Sequence, residues 1–413
     1  MARKQAIHVG LDLGTHKTSV LVATMQDDGP HVIGLGTAPS QGLKRGVVVN
    51  IDSTVHGIQR AVREAEMMAD CEIHSVVVSA SGSHIRGFNS HGMVPIKGRE
   101  VAATDIELVL DAAKAVALPM DRQVLHVLPQ EYIIDDQDGI KQPQGMAGVR
   151  LEARVHVLTA ATAAVQNVVK CCERSGLEVS QVVLAPLASA HAVLTEEERD
   201  LGVAMIDIGG GTTDLVVYHG GAVRHTAVLG LGGSHLTNDI AAGLRTPPQE
   251  AEKLKQRFGS ALASSVGNDD MIEVPSVGGR GPRVLARQIL AEIIEPRVEE
   301  ILSLVSQEVT RAGVEGLLSS GIVLTGGTAS LDGIVALAER VFHLPVRIGA
   351  PSQTGGGLAD IVSGPAYSTG VGLLLGAHAP TTELVAAAAA GANGQGVLSK
   401  VKHRMGDWLR EFF

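Results

Sequence analysis

One short segment occurs twice. Gly10-Leu11-Asp12-Leu13-Gly14-Thr15 returns as Ile206-Asp207-Ile208-Gly209-Gly210-Gly211-Thr212, with Asp12 and Asp207 separated by 195 residues. The surroundings return with it. In the first half, apolar residues 7–13 run into the Asp-x-Gly turn, residues 18–24 alternate β-branched side chains, and 31–37 follow the turn at Asp28-Gly29-Pro30. In the second, residues 203–208, 213–218 and 222–229 repeat this meander, the last two joined at Gly220-Gly221. A helix follows each copy. The first opens at Asp52 or Ser53 and sets Val55, Ile58, Val62, Ala65 and Met68 at helical spacing; the second begins near Ser234. A period this long is not that of a short-repeat solenoid. It predicts two related α/β lobes. Hydrophobic residues at 45% and charged residues at 19% supply their cores and exclude a disordered chain.

Each lobe carries an insertion. After a strand at 74–79 come about 80 residues with their own pattern, a helix at 104–116 and strands at 124–134 and 151–158, before a helix near Thr162. In the second lobe, helical residues 248–316, broken by a Gly-rich loop at 275–282, precede the strand 321–324. The expected organisation is a first lobe of 1–82 and 162–198 with 83–161 inserted. A second lobe of 199–243 and 320–378 follows, with 244–319 inserted, then a linker at 379–396 and a distinct closing segment at 397–413. The linker holds five consecutive alanines and a Gly-Ala-Asn-Gly-Gln-Gly run.

The duplicated turns suit phosphate chemistry. Without Cβ atoms, backbone N–H groups of Gly14, Gly209, Gly210 and Gly211 can reach phosphate oxygens, and Thr15, Thr212 and Thr213 add hydroxyl donors. Asp12 and Asp207, each ending a strand, suit Mg²⁺ held through water. Lys17 adds a point charge. A third turn, Gly326-Gly327-Thr328, lies between an apolar strand and a helix through Leu331, Ile334, Leu337 and Val341, and suits the adenosine end of a nucleotide. Any one of these turns alone is equally an ordinary tight turn. Sixteen histidines form no His-x-x-x-His pattern and there is no Cys-x-x-Cys, so a structural zinc site is not expected. Gly355-Gly356-Gly357 reads as a loop. The cysteines Cys71, Cys171 and Cys172 make no disulfide framework and fit a reducing cytoplasm. The net charge of −10 argues against a nucleic-acid partner. No apolar run approaches the ~20 residues of a membrane-spanning helix, and the one in residues 1–10 is too short for a signal peptide.

Together the three turns resemble those of the actin-like ATPase superfamily. That resemblance implies ATP and Mg²⁺ gripped between two lobes, crossing helices at 186–194 and 366–376, and Glu252 and Lys255 beside the adenine and ribose. Gly92-Met93-Val94-Pro95-Ile96, Val127-Leu128-Pro129-Gln130-Glu131-Tyr132, Val274-Pro275-Ser276-Val277-Gly278-Gly279-Arg280 and Tyr367-Ser368-Thr369-Gly370-Val371-Gly372 narrow it further. With them the chain resembles the FtsA family of bacterial division proteins. The family implies a filament-forming adaptor at the cytoplasmic face of the inner membrane. It implies contacts with other division proteins through 83–161, and capture of the C-terminal peptide of FtsZ on the second lobe. There Arg280, Arg283 and Arg287 cluster with an apolar helix expected over 284–301. Where many relatives place a water-orienting Glu before Pro186, this chain has Ala185, so nucleotide binding with weak or absent hydrolysis is expected. Gln130 and Glu131, inside the insertion, are assigned a structural or partner role. A sugar kinase would need an Asp base and a sugar pocket. A chaperone would need a peptide-binding domain where only about thirty-five residues follow the second lobe.

The closing segment has its own logic. Only 9 residues are aromatic, and Trp408, Phe412 and Phe413 are three of them. Val397, Val401, Met405, Trp408, Leu409 and Phe412 fall on one face of a helix, flanked by Lys400, Lys402, Arg404 and Arg410. Such a segment lies in an anionic membrane interface, and the family's membrane-targeting helix occupies this place. The alternative is a helix docked on the body.

Overall fold

The sequence repeat is also a repeat in strand register. In the computed structural model, which describes residues 7–376 apart from 27, 268, 279, 280 and 353, Ile7–Leu13 pairs antiparallel with Lys17–Gln26 and parallel with Ser75–Ala80. Val203–Ile208 does the same with Thr213–His219 and Ile322–Thr325. Asp12 stands opposite Ser19 and Asp207 opposite Asp214, so the offset of 195 relates the partners too. Each lobe has a five-stranded sheet. Glu178–Leu184 and Gly29–Pro39 complete the first, Ala222–Leu229 and Val346–Ile348 the second. Val203–Ile208 is buried along its whole length, which is why it reads as an almost unbroken apolar run.

The first helix, Ile51–Ala69, starts slightly earlier than its sequence suggests. Asn50 is the cap, its side chain accepting from the Ser53 amide at 3.0 Å. Val55, Ile58, Val62 and Ala65 are buried, whereas Met68 is 48% exposed and lies off the core stripe. Backbone lies close to backbone here: a Cβ on Gly36 would come 1.8 Å from the Ala61 carbonyl oxygen.

The first insertion is a four-stranded antiparallel sheet, in the order Arg86–Pro95, Arg150–Ala161, Arg122–Ile134, Gln137–Ile140, with Ala103–Lys114 packed on it. Two of its strands escape pattern reading. Arg86–Pro95 contains two glycines and one β-branched residue because it is an edge strand lying under a helix; a Cβ on Gly92 would meet the Val109 carbonyl oxygen at 2.3 Å. Gln137–Ile140 is only four residues long. Gln130 and Glu131 take local structural roles. Gln130 donates to the Val223 carbonyl of the second lobe at 2.7 Å, and Glu131 pairs with Arg154 at 2.6 Å.

In the second insertion the Gly-rich loop at 275–282 joins the strands of a hairpin that the helical reading of its flanks does not foresee. Between Pro248–Phe258 and Arg287–Arg311 lies a hairpin of Met271–Val274 and Arg283–Ala286. Residues 284–286 are therefore strand, and the helix expected from 284 begins at Arg287. Two short helices, Ala185–Val193 and Ser368–Gly376, cross between the lobes at backbone contact: a Cβ on Gly372 would lie 1.7 Å from the Ala188 carbonyl oxygen. Residues 377–413, including the expected linker and the closing segment, lie outside the described residues.

Candidate functional site

The three glycine turns converge on a cavity of about 600 Å³ between the lobes. Its walls include Asp12, Gly14, Thr15 and Lys17 from the first turn and Asp207, Gly209, Gly210, Gly211 and Thr212 from the second. Gly326, Gly327 and Thr328 from the third turn join them, with Glu252 and Lys255 from the helix Pro248–Phe258. Thr213 is not among them. The strand pleat turns it away, fully buried, to donate to the Leu231 carbonyl at 3.0 Å.

The first two turns touch across the cleft. A Cβ on Gly211 would stand 2.5 Å from the Thr15 hydroxyl oxygen, and one on Gly210 would stand 2.9 Å from Cβ of His16. The third turn is glycine for two reasons. Gly326 has φ +86°, and a Cβ there would lie 2.3 Å from Asp207 Oδ1. It does not feed a helix directly as the sequence suggests. Gly327–Ser330 forms a 3₁₀ turn, Leu331 follows it, and the α-helix starts only at Ile334.

Three carboxylates gather at this floor. Asp12 accepts from the Ser79 hydroxyl at 2.8 Å; burial raises its pKa, against the lowering effect of Ser79 and Lys17. Asp207 accepts from Ser189 at 2.6 Å, and burial pushes it to about 6. Asp214, which the sequence reading assigns no role, accepts from Ser81 through both oxygens at 3.0 Å and from Thr212 at 3.1 Å. Burial, then the Asp207 charge, pushes it to about 7. The missed signal lay in the hairpin itself, since a residue directly opposite Asp207 across a tight turn must share its site. Ser79, Ser81, Ser189 and Thr369 were missed for a different reason. They lie on three separate stretches of backbone, and no local motif joins them.

Neighbouring carboxylates that raise one another's pKa form a donor set short of positive charge, and a divalent cation fits it. Among the described residues, no three His, Cys, Asp or Glu side chains form a ready-made metal cage. A cation at Asp12 and Asp207 would keep water ligands, as Mg²⁺ does. Lys17 extends its ammonium over the Tyr367 ring, 3.5 Å from the centroid, and to the Ala366 carbonyl at 3.2 Å. Burial lowers its pKa. At the other end Lys255 binds Glu252 at 2.7 Å, Thr237 at 2.9 Å and the Gly233 carbonyl at 3.0 Å. Burial opposes ionisation of Glu252, but Lys255 outweighs it and holds the carboxyl below its usual range. Ala185, at the head of the first crossing helix, turns a methyl to the cavity.

Arg283 and Arg287 lie outside this cavity's chemistry and are already engaged. Arg283 donates to the Leu244 carbonyl. Arg287 donates to the Phe258 carbonyl at 2.8 Å and to Asp332 at 3.0 Å, with Asp270 at 3.7 Å. Arg280 is outside the described residues.

Residues 204–372 match the family model "Cell division protein FtsA", and residues 82–159 match "SHS2 domain inserted in FTSA". The chain is 56% identical to the cell division protein FtsA of Pseudomonas aeruginosa over 368 residues, covering 89% of this chain and 88% of that one. It is 50% identical to the Escherichia coli K12 protein of that name over 381 residues, 90% of each, and 39% identical to the Bacillus subtilis one over 370 residues, 89% and 82%. Among solved structures, a PilM-PilN type IV pilus biogenesis complex superposes with TM-score 0.67 at 18% identity, covering 90% of this chain and 99% of that one. Spiroplasma citri MreB5 bound to AMPPNP superposes with TM-score 0.52 at 16% identity, covering 90% and 96%.

Proposed function

Because this chain belongs to the FtsA family of cell division proteins, within the actin-like ATPase superfamily, we propose that it is an ATP- and Mg²⁺-binding adaptor that ties FtsZ to the membrane. In this reading it polymerises, with 83–161 serving contacts to other subunits and division proteins, and works peripherally on the cytoplasmic face at the division site. The observation that carries the nucleotide half is the meeting of two equivalent Asp-Gly turns from opposite lobes over one cavity. Slow hydrolysis fits the same cavity. Ala185 offers no acceptor for a water, and Asp214 already accepts from Ser81 and Thr212.

The membrane half rests on residues 397–413. Among the described residues, no helix is long and apolar enough to cross a membrane. One tail contributes an apolar stripe around Val401, Met405, Trp408, Leu409, Phe412 and Phe413, plus basic flanks at ~1 kcal/mol each near an anionic surface. Asp407, Glu411 and the ordering of a free chain offset part of this. Attachment is therefore reversible for one copy and persistent when many tails act together. Trp408→Glu should release the protein from anionic liposomes in co-sedimentation while nucleotide binding persists. Unchanged sedimentation would make the tail a docking helix instead.

For FtsZ, the hairpin of the second insertion is better supported than its arginines. Ile272 and Val274 point into the core, while Met271 and Val284, 58% and 63% exposed, share the outer face as diagonal neighbours. An apolar anchor of this kind suits a short peptide. Val284→Asp should weaken binding of the FtsZ C-terminal peptide at least ~10-fold by calorimetric titration, about 1.4 kcal/mol. Arg287→Glu should chiefly lower the melting temperature, because it breaks the bonds to Phe258 and Asp332. Full peptide affinity in Val284→Asp would move the site elsewhere.

A further inference from the structure

Asp207 is held by both crossing helices. Its Oδ2 accepts from Ser189 of the first crossing helix at 2.6 Å and lies 3.4 Å from the Thr369 hydroxyl of the second. The two hydroxyls are also 2.9 Å apart, so three oxygens from three elements close a small ring. Ser189 is fully buried. Neither helix belongs to the sheet that carries Asp207. Ser368–Gly376 packs on Ile7–Leu13, Lys17–Gln26 and Ser75–Ala80 of the first lobe, and Ala185–Val193 continues directly from the first-lobe strand Glu178–Leu184 while packing on Val203–Ile208 and Thr213–His219 of the second. Ser368, one residue before Thr369, bonds Thr325 at 2.7 Å, and Thr325 is the register partner of Asp207. The carboxylate is thus tied to both helices that run between the lobes.

We propose that Ser189 and Thr369 form a positioning clamp that aims Asp207 at the divalent cation and makes cation recognition depend on how the crossing helices sit. The inference rests on the nucleotide reading above. Two hydroxyls on Oδ2 leave Oδ1 as the oxygen facing Gly326 and the cavity, and they fix the carboxylate's rotation. A shift of either helix relative to Val203–Ile208 alters these bonds, and the close approach of Gly372 to Ala188 couples the two helices to each other. The cation site thereby depends on helix placement as well as on the glycine turns.

The test measures equilibrium binding of a fluorescent ATP analogue by the full chain, across a Mg²⁺ titration and in EDTA. Ser189→Ala and Thr369→Val remove the hydroxyls at nearly constant volume. The Mg²⁺ concentration at half-effect should rise about 10- to 100-fold, the range seen when groups orienting a metal ligand are lost. Affinity in EDTA should stay as in the wild type. Ser189→Thr, which restores a hydroxyl, should recover most of the effect. Ser180→Ala removes a first-lobe hydroxyl that bonds the Val76 carbonyl away from the cleft, and should leave the Mg²⁺ dependence alone. Equal loss with and without Mg²⁺ would overturn the clamp in favour of a merely structural role. So would an unchanged Mg²⁺ dependence in both variants when the wild type shows one. A wild type that binds the analogue identically in Mg²⁺ and EDTA would overturn the cation reading of the cleft together with the clamp.

Discussion

Magnesium and nucleotide should raise the melting temperature much more at pH 8 than at pH 5.5. Burial pushes the carboxyls of Asp207 and Asp214 up to about 6 and about 7, against 3.8 for an ordinary aspartate. Between 3.8 and those values the folded chain holds more protons than the unfolded one, so stability is present at low pH and is lost as pH rises through 6 and 7. At about 1.4 kcal/mol per pKa unit, the two acids together cost the empty protein on the order of several kcal/mol above neutrality. A cation at Asp12 and Asp207 offsets that cost, by favouring the charged form of Asp207 directly and by screening its charge from Asp214. The buried histidines act with the opposite sign. Burial lowers His126 and His191 to about 4 and His156 to about 3, so the unfolded chain takes up their protons first and stability is lost as pH falls below 6.5. His126 accepts from the Leu184 amide and His156 bridges Asn89 and Thr226; neither contact involves the cleft acids, so a cleft ligand leaves the acid limb unchanged. Without ligand, the gains from the three histidines somewhat exceed the losses from the two acids, so stability should rise from pH 5 to about 7 and stay nearly level above it. With ligand, the rise should be larger by the acid cost that the cation removes. Asp214→Asn should raise the melting temperature of the ligand-free protein at pH 8 by several degrees and do little at pH 5.5. Differential scanning fluorimetry across pH checks each limb. A ligand shift of equal size at pH 5.5 and pH 8 would contradict the origin of these pKa values.

The same residues show where sequence reading reaches and where it stops. The lobes were legible because the repeat at Asp12 and Asp207 fixes a strand, a turn and its neighbours at once, and a buried central strand such as Val203–Ile208 leaves a long apolar run. The cleft residues named from the turns line one cavity for the same reason: a turn is local, and its residues arrive together. Thr213 was misplaced by a single pleat, since a strand alternates faces and the motif's last hydroxyl falls on the wrong one. Asp214, two residues beyond the repeated motif, is given no role by the sequence because that role depends on a partner across the hairpin. Ser79, Ser81, Ser189 and Thr369 depend on tertiary placement alone. The hairpin Met271–Val274 and Arg283–Ala286 was hidden by its shortness, four residues a side. Arginine spacing at 283 and 287 says nothing about which carbonyls and carboxylates the fold will set beside them.

Gly211→Val should abolish nucleotide binding and leave the chain folded. A Cβ at 211 would stand 2.5 Å from Oγ1 of Thr15, closer than non-bonded atoms tolerate, and the two residues belong to opposite lobes. Thr15 cannot simply rotate away at no cost, because that oxygen accepts from the Gly46 amide at 3.0 Å. The strain is relieved by moving the turns apart, which widens the space that phosphates must bridge. No large core side chain is disturbed, so the loss belongs to the site. Gly372→Val is the opposite case. Its Cβ would lie 1.7 Å from the Ala188 carbonyl oxygen, a backbone atom at the helix crossing, and the chain should fail to fold rather than fail to bind. Asp207→Ala separates the last contribution: it should remove the Mg²⁺-dependent part of affinity while a Mg²⁺-independent remainder persists, whereas Gly211→Val should remove both. For Gly211→Val a loss of roughly 100-fold or more in affinity for a fluorescent ATP analogue is expected, about 2.8 kcal/mol, with a melting temperature within a few degrees of wild type. Wild-type affinity in Gly211→Val would show that the two turns do not close on a common ligand, and the nucleotide reading of this cleft would fall with it.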